Sequence, residues 1–407
     1  MAHLLDLPNE LLSPILEEVT YEKYGVKRPL AHIRPLLTTC RCFYQLLLPH
    51  IYGKCGLNFA IATDVYKIKY NGSHKDEMFG LWQKYGRYIR TLSIDIQHGV
   101  TIRDRSMLSS AGYISIPATI EALLPSFSNL TSAHFANYPQ TPVVLIFEGV
   151  RVVLTECLYL QELRLLIDHH ENSSWEWESH HATLSQLEAV DVSKPYAHLK
   201  KFDLNIWTDE RFCPGSNVRF LEAVTRIVDP SLSTVIDFEL GGRMNNYHGE
   251  FDAYQDYMPC RLWKVPAATS LSIDMFSDAL CTLNQYILLY PSQIRQLKLA
   301  RDLTTHRTGD HIVRFASSFP NLEFLDLPID KLVHSRGSME ISTLLKRLKA
   351  TLPKLERVRF TVGSIGDMDL EYMLGKEIVE GYKLTCGSYN LGPTIERRWL
   401  DTVAIYL

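Results

Sequence analysis

The sequence predicts an α/β fold in which a small module of three helices precedes a solenoid of strand–helix units. Three observations support it. Apolar residues recur at helical spacing near the start of the chain, a short strand-like phrase recurs from residue 89 onwards, and helix-like runs separate its copies. The 407 residues are 46% apolar and 22% charged, which is an ordinary composition for a folded chain.

Composition also narrows the class of protein. The net charge is −4 and no basic block is present, so nucleic acid is not an expected partner. We find no signal peptide and no run of about eighteen apolar residues, so we expect no membrane span and a cytoplasmic or nuclear location. The eight cysteines are scattered, which indicates reduced thiols rather than a disulfide framework.

The first predicted helix begins near Pro8, a position where proline costs no helical hydrogen bond. Its apolar stripe comprises Leu11, Leu12, Ile15, Leu16 and Val19. A second apolar run, Leu30–Leu48, is predicted to contain two helices, with a cap at Thr38 or Thr39 and an end at Pro49. Fewer than about fifty residues can hardly bury three such faces, so the surplus predicts a protein partner or a docked neighbouring domain.

A repeated phrase, apolar-x-x-apolar-x-apolar, predicts the strands. Its middle positions are Leu92, Ala133, Leu163, Phe202, Leu271, Leu297, Leu325 and Val358, with a weaker copy at Ile236. Helices are predicted at Thr119–Ser126, Val144–Leu158, Val218–Val228, Ala279–Leu289, Asp310–Ser318 and Ile341–Leu352. A tag also recurs before the strand, as in Phe127–Leu130, Phe319–Leu322 and Leu352–Leu355. We therefore predict parallel strands on the concave side and helices on the convex side, with a doubly wound sheet as the alternative.

The predicted domains are a helical module at 1–57, a linker with a capping helix at 58–88, the solenoid at 89–363 and a C-terminal cap at 364–407. The segment Leu7-Pro8-x-Glu10-Leu11-Leu12-x-x-Ile15-Leu16, followed by Leu36-x-x-x-Cys40-Arg41-x-Phe43-x-x-Leu46, resembles an F-box. The downstream segment Tyr85–Ile94 is similar to the start of the leucine-rich-repeat-like domain in fungal F-box proteins.

This resemblance implies the substrate-recognition subunit of a Skp–cullin–F-box ubiquitin ligase, with a Skp-type adaptor as partner and, through it, a cullin–RING ligase. The implied adaptor-binding residues are Leu7, Pro8, Leu11, Leu12, Ile15, Leu16, Leu36, Cys40, Phe43 and Leu46. The alternative is a non-catalytic repeat scaffold whose N-terminal helices only cap the solenoid.

Candidate substrate-binding residues flank the apolar positions of the strands, because side chains alternate between the two faces of a sheet. The candidates are Asp203, Asp237, Glu239 and Asp274 at an acidic centre, Lys298, Arg357 and Arg359 at a basic end, and Trp175 and Trp177 in a loop. The alternatives are that an exposed sheet face simply needs polar residues, and that the tryptophans pack on a neighbouring helix.

Motifs for catalysis are not found. The sequence has no phosphate loop, dinucleotide-binding fingerprint or nucleophile elbow, and Gly241-Gly242 reads as a turn. The histidines at His169–His181 and the pair Cys40-x-Cys42 fit no zinc spacing. We therefore predict no catalytic residue, metal or cofactor, and keep an enzyme on an open α/β sheet as a third hypothesis.

Overall fold

The structure is a computed structural model. It describes residues 8, 12, 15, 16, 35, 37, 38, 40–62, 67–70, 75–98, 116–137, 143–170, 197–209, 216–245, 264–275, 290–299, 309–328, 341–362, 368–374 and 378–386. The loop tryptophans Trp175 and Trp177, the helix predicted at Ala279–Leu289, and Leu7, Leu11 and Leu36 lie outside these residues.

The strands of the described residues form a single sheet. They are β1 Lys54–Ala62, β2 Lys67–Tyr70, β3 Thr91–His98, β4 Ser132–Asn137, β5 Glu162–His170, β6 Lys201–Asp209, β7 Asp237–Asn245, β8 Ser270–Met275, β9 Gln296–Leu299, β10 Phe324–Pro328, β11 Arg357–Val362, β12 Met368–Leu374 and β13 Ile378–Cys386. Strands β1 and β3 to β11 run parallel, while β2 at one edge and β12 and β13 at the other are antiparallel.

The order of strands follows the chain, except that β2 lies outside β1. A doubly wound sheet would reverse its strand order part of the way through. The unreversed order therefore confirms the predicted leucine-rich-repeat-like sheet, with one parallel strand per repeat, and excludes the doubly wound alternative.

Helices precede several of the parallel strands. They are α1 Arg41–Tyr52, α2 Lys75–Tyr85, α3 Ile116–Leu123, α4 Val143–Glu156, α5 Ser216–Leu232, α6 Gly309–Ala316 and α7 Ile341–Thr351, with 3-10 turns at Gly86–Tyr88, Leu124–Ser126 and Pro291–Gln293. Helices α3 to α7 confirm the predicted runs to within three or four residues at each end. A membrane span requires about eighteen predominantly apolar residues in one helix, and the described helices include no such segment.

The core lies between the helices and one face of the sheet. Its centre is a row of buried residues in register across the parallel strands, namely Cys55, Leu92, Ala133, Leu163, Phe202, Phe238, Leu271, Leu297, Leu325 and Val358. Phe202 and Phe238 stack with their ring centroids 6.0 Å apart. Each repeat thus buries its apolar face against the next, which a single strand and helix cannot do.

The weak copy of the strand phrase was predicted in the wrong phase. Ile236 is 48% exposed, and Phe238 stands in register with Phe202 and Leu271 instead. Val235, Phe238 and Leu240 are the buried residues of this copy. A phrase anchored on Val235 fits the sequence equally well, so only the pairing of the strands decides between the two phases.

A turn and a shared carbonyl recur before the strands. At eight junctions the amide of the residue that opens the phrase donates to the carbonyl three residues earlier, over 2.9–3.2 Å, as Leu130 does to Phe127. At nine junctions one main-chain carbonyl then accepts two successive amides of the next repeat, over 2.8–3.1 Å. Thr131, for example, accepts from Gln161 and Glu162. These counts refer to the described residues.

The third residue of the tag joins neighbouring repeats. The side-chain amide of Asn129 donates to the carbonyl of Arg87, and that of Asn321 donates to the carbonyl of Ser292, both over 2.6 Å. Lys354, at the same position of the next tag, donates to Oδ1 of Asn321 over 2.8 Å. The tag is therefore a set of inter-repeat hydrogen bonds as well as a turn.

Strand β1 was not predicted. It begins inside the proposed helical module, crosses the proposed boundary at residue 57 and pairs in parallel with β3. Tyr52, Cys55 and Leu57 carry the repeated phrase, so the signal was present in the sequence. The predicted capping helix is α2, whose Trp82 belongs to the main core.

Two details of the N-terminal prediction were wrong. Cys40, rather than Thr38 or Thr39, caps α1, and its sulfur accepts the amide of Phe43 over 3.4 Å. Pro49 does not end this helix, which continues to Tyr52. Gly53 then ends it, at a position where a Cβ would lie 2.4 Å from the Pro49 carbonyl oxygen.

Gly241 lies within β7 and not in a turn. A Cβ there would lie 2.2 Å from Oδ1 of Asn205 on the neighbouring strand. The glycine therefore makes room for the Asn205 side chain on the open side of the sheet, which is the close approach that a strand glycine permits.

Candidate functional site: the open face of the sheet and the N-terminal cluster

The face of the sheet opposite the helices is here called the open face. Its first row consists of Lys54, Thr91, Ser132, Glu162, Lys201, Asp237, Ser270, Gln296, Phe324 and Arg357, and its second row of Gly56, Ser93, His134, Arg164, Asp203, Glu239, Ser272, Lys298, Asp326 and Arg359. The substrate-binding candidates of β6, β7, β9 and β11 lie in these two rows. The register also assigns Asp274 to a third row, beside Gly241.

Asp203 is held within the protein, although it was predicted to contact a substrate. Its carboxylate is 4% exposed and lies 2.8 Å from Nε of Arg164. Asn205 donates to its other oxygen over 3.3 Å. Burial, followed by the neighbouring charge of Glu239, raises the pKa of Asp203 to about 6 in spite of Arg164. Asp237 and Glu239, both half-buried, are therefore more accessible to a partner than Asp203 is.

Ser132, His134 and Glu162 form a second polar group, towards the start of the sheet. The Ser132 hydroxyl lies 3.0 Å from Nε2 of His134 and 3.2 Å from Oε2 of Glu162. Burial lowers the pKa of His134, which favours the neutral imidazole. Lys201 lies 3.9 Å from the other oxygen of Glu162.

This group contains the residue types of a hydrolase, but their order differs. The serine hydroxyl has one proton, and here the serine stands between the histidine and the carboxylate. In an activated serine the histidine stands between the serine and the carboxylate. The arrangement therefore supports a hydrogen-bond network on the open face.

The basic end of the open face is built around an aromatic ring. The guanidinium groups of Arg357 and Arg359 lie 5.1 Å and 5.5 Å from the ring centroid of Phe324. Nε of Arg359 donates over 3.1 Å to Oδ2 of Asp326, which Nη2 of Arg359 also contacts. Asp326 is 1% exposed, whereas Lys298 and Arg357 are exposed. The acid thus fixes one arginine, while the second arginine and the lysine face outward.

A separate apolar cluster lies at the N-terminus. Its buried members are Leu12, Leu16, Phe43 and Leu47, with Leu37, Cys40, Cys42, Leu46 and Ile51 partly buried against them. Of the predicted adaptor-binding residues, Leu12, Leu16 and Phe43 face this cluster, whereas Pro8 and Ile15 are exposed. The predicted stripe is therefore divided between internal packing and exposed surface.

Tyrosines join this N-terminal part to the repeats. Tyr52 of α1 stacks on Tyr85 of α2 with ring centroids 4.3 Å apart, and the hydroxyls of Tyr44 and Tyr85 lie 3.3 Å apart. Tyr85 lies at the end of the predicted capping helix, but its pairing with Tyr52 was not predicted. The link runs through side chains that are distant in sequence, so no local pattern signals it.

Metal binding finds no support in the described part of the chain. No group of three or more histidine, cysteine, aspartate or glutamate side chains there could hold an ion. Of the segment His169–His181, weighed as a metal site from the sequence, only the backbone of His169 and His170 at the end of β5 is described. Cys55 is buried, and burial raises the pKa of its thiol to about 12, so this cysteine is an inert core residue.

Comparison with known proteins does not assign this chain to a family. No family model matches the chain, and no curated protein matches it in sequence. Among solved structures, the leucine-rich repeat-containing protein LegL7 from Legionella pneumophila aligns at 13% identity and a TM-score of 0.38, over 76% of this chain and 92% of that one. The Rad7 and Elc1 complex in yeast aligns at 10% identity and a TM-score of 0.26, over 70% and 75% of the two chains.

Both TM-scores lie below 0.5, so neither structure adds to what the strand order and hydrogen bonds of this chain establish. Those features define the class: a leucine-rich-repeat-like α/β protein with a largely polar open face.

Proposed function

We propose that this protein is the substrate-recognition subunit of a Skp–cullin–F-box-type ubiquitin ligase. The N-terminal helices bind the Skp-type adaptor, and the open face of the sheet binds a substrate protein. The supporting observation is the second apolar cluster, which is separate from the main core and leaves Ile15 40% exposed beside buried Leu12 and Leu16. The F-box resemblance of the same segment supplies the identity of the partner.

The proposed adaptor surface is narrower than the apolar stripe suggests. Leu12, Leu16 and Phe43 stabilise the small cluster, so they act on the adaptor only by holding the helices in place. Ile15 and Pro8 are the described candidates for direct contact, with Leu46 half-buried at the edge. Leu7, Leu11 and Leu36 complete the set on the sequence resemblance alone.

In this proposal the chain contributes proximity and no catalytic group. Holding a substrate beside the ligase raises the effective concentration of its lysines near a charged conjugating enzyme. Such a protein acts in the cytoplasm, the nucleus or both.

Adaptor capture by purified full-length chain tests the proposal. Ile15→Asp places a charge on the proposed interface without removing a member of the buried cluster, and should weaken capture by at least about tenfold. Ile236→Asp is the matched control, since Ile236 is also an exposed isoleucine but lies directly before β7, outside the N-terminal cluster. Its capture should equal that of the wild type.

A melting curve for each variant separates lost binding from lost folding. Unchanged capture by both Ile15→Asp and the double variant Leu7→Ala/Pro8→Ala would contradict the proposal.

A repeat scaffold with capping N-terminal helices is the second candidate function. The stacking of Tyr52 on Tyr85 favours it, because this contact packs α1 against the start of the repeats. Removal of residues 1–52 leaves β1 intact and distinguishes the two functions. A scaffold with a structural cap should lose its cooperative unfolding transition, whereas a substrate receptor should keep a folded sheet and lose only the adaptor.

A further inference from the structure

The basic end of the open face carries three cationic residues on two strands, β9 and β11, on either side of β10. Lys298 on β9 and Arg357 and Arg359 on β11 flank Phe324 and Asp326 on β10. These five residues are here called the basic patch. They lie in the first two rows of the open face, on the side of the sheet away from the helices.

The two arginines of the basic patch are held by neighbouring side chains before any partner binds. Asp326 is buried and fixes the guanidinium of Arg359, while the ring of Phe324 lies against both arginines. Planar guanidinium groups held in this way lose less side-chain freedom when they bind a carboxylate. Such a surface binds an anion more tightly than equally charged flexible side chains would.

Charge on the open face changes sign along the sheet. In the first two rows, β9 to β11 carry three cations and one acid, a net charge of +2. The same rows of β6 and β7 carry Lys201 and the acids Asp203, Asp237 and Glu239, a net charge of −2. Strand β8 between them contributes Ser270 and Ser272, which are uncharged.

The two antiparallel strands beyond β11 do not change the sign of the charge at this end of the open face. The register puts Glu371 of β12 opposite Arg359 and Lys383 of β13 opposite Glu371, so these strands add one residue of each sign to the second row. Asp369 lies one row further along, opposite Thr361. The net charge of the two rows through β13 therefore remains positive at this end.

We propose that the basic patch binds a short acidic segment of a partner protein. Carboxylates of the segment contact Lys298 and Arg357, whose side chains are exposed, and the Phe324 ring supports the apolar part of the segment. Strand β8 lies three strand spacings from β11, about 14 Å, a span that about four extended residues cover. The acids of β6 and β7 repel such a segment and confine it to this end of the sheet.

This inference names the substrate class for the proposed receptor, and rests on the proposed function only in assigning the segment to a substrate. Binding is testable without the adaptor. The probe is a fluorescent peptide with four glutamates between neutral glycine–serine flanks, titrated with full-length chain by fluorescence anisotropy. A peptide with four glutamines in place of the glutamates controls for charge.

The wild type should bind the glutamate peptide, and its affinity should fall as salt is raised. Lys298→Glu and Arg357→Glu should each weaken binding at least about fivefold. Lys201→Glu is the control, because it makes the same charge reversal on β6. This position lies three or more strand spacings away, which is beyond the screening length of about 8 Å at physiological salt. The affinity of this variant for the glutamate peptide should therefore stay within about twofold of the wild type. Thermal melts of each variant check folding, and the exposed Lys298 keeps the test valid if Arg357→Glu proves unstable.

Three results would overturn the inference. They are equal binding of the glutamine peptide, an affinity of Lys298→Glu equal to the wild type, and equally tight binding of a single-stranded DNA tetranucleotide, which would indicate a general anion surface. Adaptor capture is measured separately. Its failure with peptide binding retained would contradict the proposed function and leave the basic patch intact.

Discussion

The side-chain amide of Asn321 donates a hydrogen bond to the main-chain carbonyl of Ser292 across 2.6 Å. Asn129 makes the same bond to Arg87 near the other end of the sheet. Each asparagine is the third residue of its tag, and each acceptor is the second residue of the preceding turn. Asparagine recurs in the tag because one side-chain amide reaches the neighbouring repeat.

Replacing Asn321 by alanine should lower the free energy of unfolding by about 1–2 kcal/mol, since its surface hydrogen bonds to Ser292 and from Lys354 are both lost. Urea denaturation measures the change. Ser292→Ala is the matched control: it keeps the accepting carbonyl and should change stability by less than about 0.5 kcal/mol. Equal losses for both variants would show that the inter-repeat bond contributes nothing.

Gly86 should not tolerate a side chain. A Cβ at this position would lie 2.4 Å from the carbonyl oxygen of Ser126, so Gly86→Ala must displace backbone and should cost more than about 2 kcal/mol. Gly80 is an exposed glycine inside α2 with nothing within 4 Å of a built Cβ. Gly80→Ala should therefore stabilise the protein by about 0.5–1 kcal/mol. Thermal melts of the two variants should move in opposite directions.

The phase of β7 can be tested with two residues two positions apart. Phe238→Ala removes a buried ring that stacks on Phe202 and should cost about 3–5 kcal/mol. Ile236→Ala, at an exposed position, should cost less than about 1 kcal/mol. The reverse ranking in chemical denaturation would restore the phase predicted from the sequence.

Asp203 should make folding stability depend on pH between about 4 and 6. Its folded pKa of about 6 lies above the ordinary 3.8, so the folded state holds the proton more tightly than the unfolded state does. Its contribution to stability is therefore greatest below about pH 4 and is lost as pH rises through 6. Relative to Asp203→Asn, the wild type should lose about 2 kcal/mol between pH 4 and 7, measured by urea denaturation at each pH.

Glu239→Gln is a second variant that tests what raises the pKa of Asp203. Removing the neighbouring carboxylate should lower the pKa of Asp203, because the charge of Glu239 is the second cause of its rise. The pH dependence should then shrink without disappearing, since burial persists. An identical pH profile for wild type and Asp203→Asn would show that Asp203 does not titrate in this range.

Local patterns made most of the fold predictable. The phrase around Leu163 and Phe202 alternates with the period of a strand, and the tag at Phe319–Leu322 marks the turn that opens a strand. The same patterns failed where two phases fit equally, as at Ile236 and Phe238. They also failed at β1, where the repeated phrase directly follows a helix that contains a proline.

For the candidate sites, the sequence predicted which residues lie on one face of the sheet but not how those residues pair or how deeply they are buried. Alternation correctly assigned Lys298 and Arg359 to one face, because strand period alone fixes that. It did not show that Asp203 pairs with Arg164, since such pairing depends on the register between strands.

The sequence by itself determined the repeating strand and helix, since apolar periodicity and turn residues act within a few positions of the chain. Only the tertiary structure decided which residues of each repeat face one another. The stacking of Phe238 on Phe202, the Asn321 bond to Ser292 and the separate burial of Leu12 and Leu16 all join segments distant in sequence. Such contacts depend on register and packing, which no local pattern encodes.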